Sequence, residues 1–477
     1  MIINIKFLVL LSLLFIILQD NAILIGSQLI YTAPILIIIL LFIFALIKFK
    51  DLNRIINFAY KKTPFKYLIW FLIYLLLTAF FHGDSTTTIK ILRRIFLIIT
   101  LIIIPVLMYA LIFVPRFISF FKVFKVFVHT TFWILLYGVI DYTFRLVFHT
   151  KPPLYNILCS RNYYNTIRYE SFNGSSEILE RACSIFFEPS FFATFIFLFL
   201  PMIYVLLKSK IKILNNSMLN LTLKLLLLIL AWTCLFLTKS PIYIIFSIIY
   251  TFLFFFNDIL KMLKKYPLKI FLILLLLCFS FSLISTTKNP IMYRMQKIVR
   301  SLGRIESLII ADTSFATRIL ATENTFMAFK SVPLFGCGYG NGNDIMYKQY
   351  RKTKTPLTEE IITKQMLINK EAPSPNIFWS MLLQTGIIGT ALLFTFFIKS
   401  ILVALKIQKY SVSKDNIFVK ILILIAINYI IISFYWSIDT YPMMWFIFGL
   451  LNSYILHSRL KILMNRNPEV NQCQNFQ

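Results

Sequence analysis

Charged side chains are scarce in this chain: they make up 14% of its 477 residues, against 59% hydrophobic. A water-soluble fold could not hide that much apolar surface, whereas a bilayer calls for many runs of about 20 apolar residues. Acidic residues are scarcer still, 19 against 48 Lys and Arg, which leaves a formal charge of +29. Histidine is nearly missing, and His82, His129, His149 and His457 show no metal-ligand spacing. A P-loop, a Gly-x-Ser-x-Gly elbow and an HExxH helix are also lacking. Nothing therefore supports nucleotide- or metal-dependent chemistry, and neither a cofactor nor a metal is expected. The short alternating segments of a membrane β-barrel do not occur either. No small-residue cleavage site follows the first apolar run, so that run is expected to remain as the first span.

What is present is a series of continuous apolar runs. They predict an all-α polytopic membrane protein of about twelve transmembrane helices. The expected spans are 3–19, 29–47, 67–81, 95–114, 123–146, 190–207, 221–237, 241–257, 268–285, 377–398, 417–435 and 441–457. The basic residues cluster in the short connections: Lys48 to Lys66, Lys208 to Lys212, Lys261 to Lys265 and Lys406 to Lys414. That is the topology signal of an inner membrane rather than a nucleic-acid footprint, so no nucleic acid is expected as a partner. With both termini in the cytoplasm every one of these clusters faces inward, and only Lys90, Arg93 and Arg94 dissent. The chain then divides into spans and an outer loop at 147–189 within 1–285, a large extracytoplasmic loop at 286–376, the last spans within 377–457, and a cytoplasmic tail at 458–477.

The large loop interrupts the apolar pattern. Ile291, Met295, Ile298, Leu302, Ile305 and Ile309 mark one narrow helical face, with Lys297, Arg300 and Arg304 on the other side. This is the pattern of a helix lying on a membrane surface. Asp312 offers an N-cap to a second helix running to about Lys330. Pro333 and Gly336-Cys337-Gly338-Tyr339-Gly340 end it in a tight turn, and a third helix is expected from Thr358. Among the six cysteines, Cys159 and Cys183 share the outer loop 147–189 and are expected to pair in an oxidising compartment, with Cys337 as the competing partner.

Three places carry chemistry. Glu188 precedes Pro189 at the start of an expected span and lies close in sequence to Arg181. It is either a plain acidic cap at the positive helix end or a base for a sugar hydroxyl. Lys239, in Thr238-Lys239-Ser240-Pro241, either snorkels to the surface or meets an anionic ligand. Asp141 and Arg145, one turn apart on a span, are placed to pair with each other.

Taken in order, several stretches resemble the superfamily of O-antigen (polysaccharide) polymerases and ligases. They are Arg181…Glu188-Pro189-Ser190…Ala193, Leu237-Thr238-Lys239-Ser240, Asp312-Thr313-Ser314 with Arg318, Pro333-Leu334-Phe335-Gly336-Cys337-Gly338-Tyr339-Gly340, and Asn376…Gly386-Ile387-Ile388-Gly389. The resemblance covers roughly 180–390. It implies a GT-C-like membrane glycosyltransferase acting on undecaprenyl-diphosphate-linked oligosaccharide at the outer face of a bacterial inner membrane. Polymerisation of repeat units into O-antigen, capsule or exopolysaccharide is the implied reaction, with a chain-length regulator and a flippase as candidate partners. Glu188 and Arg318 would be catalytic, and Arg181, Ser190, Lys239, Ser240, Gly336, Gly338 and Asn376 would bind substrate. Two departures stand out. Pro375 occupies the position where the ligase branch carries a His, which favours a polymerase, and Pro241 replaces a basic residue after Ser240. A lipid-linked oligosaccharide flippase is the alternative from another class, but it would line its bundle with charge and has no need of a large outer loop.

The loop asymmetry makes a direct prediction. Reporter fusions at Lys264 and Thr353 should report opposite sides of the membrane; the same side for both would break this topology.

Overall fold

The structure is a computed structural model that describes residues 22–25, 28–31, 60–61, 63–81, 120–148, 181–182, 184, 186, 189–265, 297, 300–301, 307, 313–339, 341–353, 376–409, 415–434 and 442–466. Its helices are α1 (Phe65–Phe81), α2 (Phe120–Val147), α3 (Pro189–Lys208), α4 (Ser217–Leu237), α5 (Pro241–Lys265), α6 (Thr313–Phe329), α7 (Gly342–Thr353), α8 (Ile377–Lys409), α9 (Asp415–Ser433) and α10 (Pro442–Arg466). Among the described residues, six helical segments are long and apolar enough to cross a membrane: Phe124–Phe144, Ser190–Lys208, Ser217–Leu237, Pro241–Asp258, Ile377–Lys409 and Asn416–Ser433. The chain is a helical, multi-pass membrane protein.

The structure departs from the expected elements locally in two places. Ala22–Ile25 (β1) pairs antiparallel with Gln28–Tyr31 (β2), from Ala22 opposite Tyr31 to Ile25 opposite Gln28. Gly26-Ser27 between them is the kind of dipeptide that closes a two-residue hairpin, and β2 overlaps the expected start of the 29–47 span. The second departure is α7, where no helix was expected. Asp344 lies in its first turn and Arg351 and Lys352 in its last, each with the sign the helix dipole favours. The expected spans 3–19, 95–114 and 268–285, the rest of 29–47, and the expected helix from Thr358 lie outside the described residues.

Helix α3 is the centre of the bundle. It is apolar on every face, and 83% of its span is buried against α4, α5 and α9. Phe195 packs on Phe199, and Phe199 on Phe127 of α2, with ring centroids 4.7 and 5.9 Å apart. Polar side chains lock neighbours together where lipid offers no competing partner: Asn428 Nδ2 of α9 donates to Phe197 O, and Asn452 Nδ2 of α10 to Ser400 Oγ of α8. On the periphery, α5 turns Ile248, Ile249, Phe252 and Leu253 outward.

Contacts between helix ends sort the bundle into two faces. Asp141, near the end of α2, meets Ser184, ahead of α3. Phe124, near the start of α2, meets Phe418, near the start of α9. The end of α9 then meets the start of α8, where Phe378 packs on Phe434 at 4.7 Å. The start of α3, the α4–α5 corner, the end of α9 and the start of α8 therefore share one face. The opposite face carries Lys125, Lys208, Lys212, Lys261, Lys409 and Lys420, with Lys208 paired to Asp258.

On the first face α8 is broken. Gly386 has φ 63° and ψ −170° inside an otherwise continuous helix. The peptide groups freed by the break are taken up by the glycine-rich turn that follows α6. Cys337 N donates to Leu383 O and Gly338 N to Gln384 O, at 2.9 and 3.0 Å, while Ile387 N donates back to Pro333 O at 2.9 Å. Tyr74 of α1 adds its hydroxyl to Thr385 O at 2.9 Å. The expected span 377–398 thus corresponds to a helix that breaks at Gly386 and continues to Lys409.

A Cβ at Gly386 would overlap the Leu334 carbonyl in a left-handed backbone. Gly386→Ala should therefore lower stability by about 1–3 kcal/mol or more, read as a lower melting temperature in detergent. Ile387→Ala, at an exposed neighbour, should change it by less than about 0.5 kcal/mol.

Candidate functional site

The site is built on the corner between α4 and α5. Helix α4 ends with Thr238 N donating to Cys234 O and Lys239 N to Phe236 O. Lys239 has φ 47°, the left-handed position that helix ends usually give to glycine. Ser240 O then accepts from Ile244 N, and Pro241 takes the first position of α5, where a missing N–H costs nothing. The corner leaves the Thr238 carbonyl and the Ser240 hydroxyl side by side.

Both are taken by Arg181. Its Nε donates to Thr238 O at 2.8 Å and its Nη2 to Ser240 Oγ at 3.2 Å, so the guanidinium plane is fixed against the corner. Ala182 N donates to Leu237 O at 2.9 Å. Residues 57 and 59 positions apart in sequence are brought into one fork. Ser190 sits in the first turn of α3, its carbonyl 2.8 Å from Thr194 Oγ1, which lies 2.6 Å from the Tyr243 hydroxyl. Glu188, and with it Cys159 and Cys183, lies outside the described residues.

The segment that carries Arg181 is tied to α2 by a contact that sequence spacing did not reveal. Ser184 N donates to Asp141 Oδ2 at 3.0 Å, and Ser184 Oγ donates to Ile134 O at 2.8 Å. Asp141 thus serves the chain ahead of α3; the side chain of Arg145 lies outside the described residues. A carboxyl in an apolar span was the available signal, but its partner is 43 residues away.

The second part of the site is the glycine-rich turn. Gly336 and Gly338 have φ values of 73° and 89°, and the backbone of Gln384 and Thr385 fills the space where a Cβ at Gly336 would stand. Gly336 therefore serves the close approach of turn to broken helix, and Gly338 lends the turn its amide to Gln384 O. Behind them Leu320, Ala321 and Ala328 of α6, Cys337, Met346 and Tyr350 of α7, and Leu383 of α8 form a small separate core. Burial pushes the Tyr350 hydroxyl pKa up. Cys337 is a buried thiol within that core. Phe326 of α6 packs edge-on against Trp379 of α8 at 5.7 Å, with Lys330 Nζ 4.7 Å from its ring centroid. Arg318 is half-buried in the second turn of α6, on a different support from Arg181. Asn376 is buried and caps α8: its Oδ1 accepts from Trp379 N, and its Nδ2 donates to Phe434 O, both at 2.9 Å.

The arrangement presents one fixed guanidinium, Arg181, on a helix corner beside an apolar bundle, and a guanidinium is the side chain best matched to phosphate oxygens. A family model described as O-Antigen ligase matches residues 226–394. That stretch runs from within α4, through the Thr238–Ser240 corner, α5, α6 and the glycine-rich turn, to the broken helix α8. The superfamily resemblance carried by these motifs is thus met by an independent match, and Arg181 lies outside the matched stretch yet lands on it. No curated protein matches the chain.

The two bonds of Asn376 give it structural work at the start of α8. Asn376→Ala should lower stability by about 1–3 kcal/mol through loss of the cap and of the Phe434 bond. Asn376→Asp, which keeps the cap oxygen and loses the amide donor, should fall between, as read by melting temperature.

Proposed function

We propose that this chain is a metal-independent membrane glycosyltransferase of the O-antigen polymerase and ligase type. It joins undecaprenyl-diphosphate-linked repeat units into a surface polysaccharide at the outer face of a bacterial inner membrane. The observation that carries the reading is the fork by which Arg181 grips the Thr238–Ser240 corner; the corner and the glycine-rich turn on the same face both fall within the stretch matched by the O-Antigen ligase model. The concentration of lysines on the opposite face supports placing that face in the cytoplasm.

In this reading the lipid tails stay in the bilayer and the diphosphate lies at the headgroup level, where Arg181, Lys239 and Arg318 stand. A sugar hydroxyl of the acceptor attacks the anomeric carbon of the donor. The new glycosidic C–O bond forms as the bond to the diphosphate oxygen breaks, and undecaprenyl diphosphate leaves with both electrons of that bond. Fixed cations stabilise the charge that develops on the leaving group. Glu188, immediately ahead of α3, accepts the hydroxyl proton.

A ligase is the second reading, and the description of the matched family favours it. Against it stands Pro375, at the position where the ligase branch carries a His. The glycan left by deletion of the gene separates the two. A polymerase leaves one repeat unit on the finished anchor, and a ligase leaves polymer stranded on undecaprenyl diphosphate. Units trapped on the cytoplasmic side would overturn both readings in favour of a flippase. Arg318→Lys should abolish polymer while leaving the protein at its usual level in the membrane, because a point charge does not replace a bidentate fork. Normal polymer from that variant would remove Arg318 from the site.

A further inference from the structure

Among the described residues, the non-glycine positions with left-handed backbone are Ser184, at φ 54°, and Lys239, at φ 47°. They lie on the two sides of a single contact. Lys239 stands between the two groups that Arg181 grips, and Ser184 is three residues beyond Arg181 on its own strand of chain. L-residues enter this region at a cost and hold it only where the surroundings impose it. At Lys239 the imposing element is a helix end. At Ser184 it is a side chain.

That side chain is Asp141. It is completely buried on α2, and its Oδ2 accepts the Ser184 amide at 3.0 Å. Two turns earlier on the same helix, Ile134 O accepts the Ser184 hydroxyl at 2.8 Å. The segment is also seated by Ala182 N on Leu237 O and by Phe186, whose ring lies 5.7 and 5.2 Å from Phe192 and Phe195 of α3. Those contacts hold the segment to α4 and α3; the Ser184 contacts bind it to α2. A buried carboxyl in an apolar bundle is costly unless it is hydrogen-bonded, and a glycine at 184 would have reached the same φ with no imposed partner. What the serine and aspartate add is rigidity at the bend between Arg181 and Glu188.

We propose that Asp141 is a positioning residue for the reaction. By fixing the left-handed bend at Ser184, it sets the angle at which Arg181 meets the Thr238–Ser240 corner. This rests on the reading above, in which Arg181 holds the lipid diphosphate and Glu188 takes the acceptor proton.

Two measurements on the full-length protein in nanodiscs test it. With lipid-linked repeat units as substrate, Asp141→Ala should lower kcat about tenfold or more while KM moves by no more than about twofold, since misaimed groups act on the transition state. Adding Ser184→Gly should recover several-fold of that loss, because glycine takes the bend without Asp141. An equal loss with and without the Ser184→Gly substitution, or a rise in KM alone, overturns the proposal. Should Asp141→Ala fail to accumulate, Asp141→Asn, which keeps the shape with a weaker acceptor, is read by the same two criteria. Hydrogen–deuterium exchange over 181–188 needs no turnover. It should speed up in Asp141→Ala and slow again in the double variant, and unchanged exchange overturns the proposal. Wild-type protein that makes no polymer, together with the expected exchange pattern, would sink the glycosyltransferase reading while leaving the role of Asp141 in the bend standing.

Discussion

A polypeptide in a bilayer has no water to satisfy a stray peptide group, so a helix can open only where other protein takes up what it releases. The break in α8 meets that condition by strand-like pairing with the glycine-rich turn. Leu383 O and Gln384 O are satisfied by the amides of Cys337 and Gly338, and Ile387 N by Pro333 O. Each partner is odd by itself: a helix with a left-handed residue in it, and a loop whose glycines turn the wrong way for an ordinary side chain. Together they form a closed hydrogen-bonded unit. Helix α6, helix α7 and the small core around Leu383 are organised about it.

The Arg181 corner is held on a different principle. Backbone strain at Lys239 and Ser184 is balanced by polar contacts with fixed donors and acceptors, several of them buried. The glycine-rich turn spreads its constraint over backbone that glycine makes compliant. The corner concentrates it at Lys239 and Ser184, to either side of the Arg181 grip. Placing a cation within about an ångström is worth more to a reaction than placing a loop.

Much of the bundle was legible in the apolar runs, because helices in lipid keep their hydrogen bonds internal and need only length and hydrophobicity. The expected 123–146 and 190–207 correspond to Phe120–Val147 and Pro189–Lys208. The charges at Lys399 and Lys406 hid how far α8 continues, since a helix outlasts its apolar window when its end reaches water. Helix α7 was missed because its buried positions are few, Met346 and Tyr350 among them, and the partner they need, Leu383, belongs to a distant segment. Motif resemblance pointed to Gly336 and Gly338 as parts of a site. Their positive φ values, and the pairing that demands them, have no signature in residue type alone. The Arg181 fork was approached from both ends, since Arg181 and Ser240 were each singled out, but adjacency across 59 residues is a property of the fold.

The Tyr74 hydroxyl finds the Thr385 carbonyl across 311 residues. A membrane protein is inserted as it is made, so α1 enters the bilayer long before α8 exists. Until then its phenol must shelter against the headgroups or borrow a neighbour's carbonyl, and the late arrival of the glycine-rich turn and then of the broken helix lets it settle. The assembly of this bundle is therefore tied to its last third. A ribosome stalled before residue 385 would leave the Tyr74 hydroxyl with only its longer bond, to the Phe335 carbonyl at 3.3 Å.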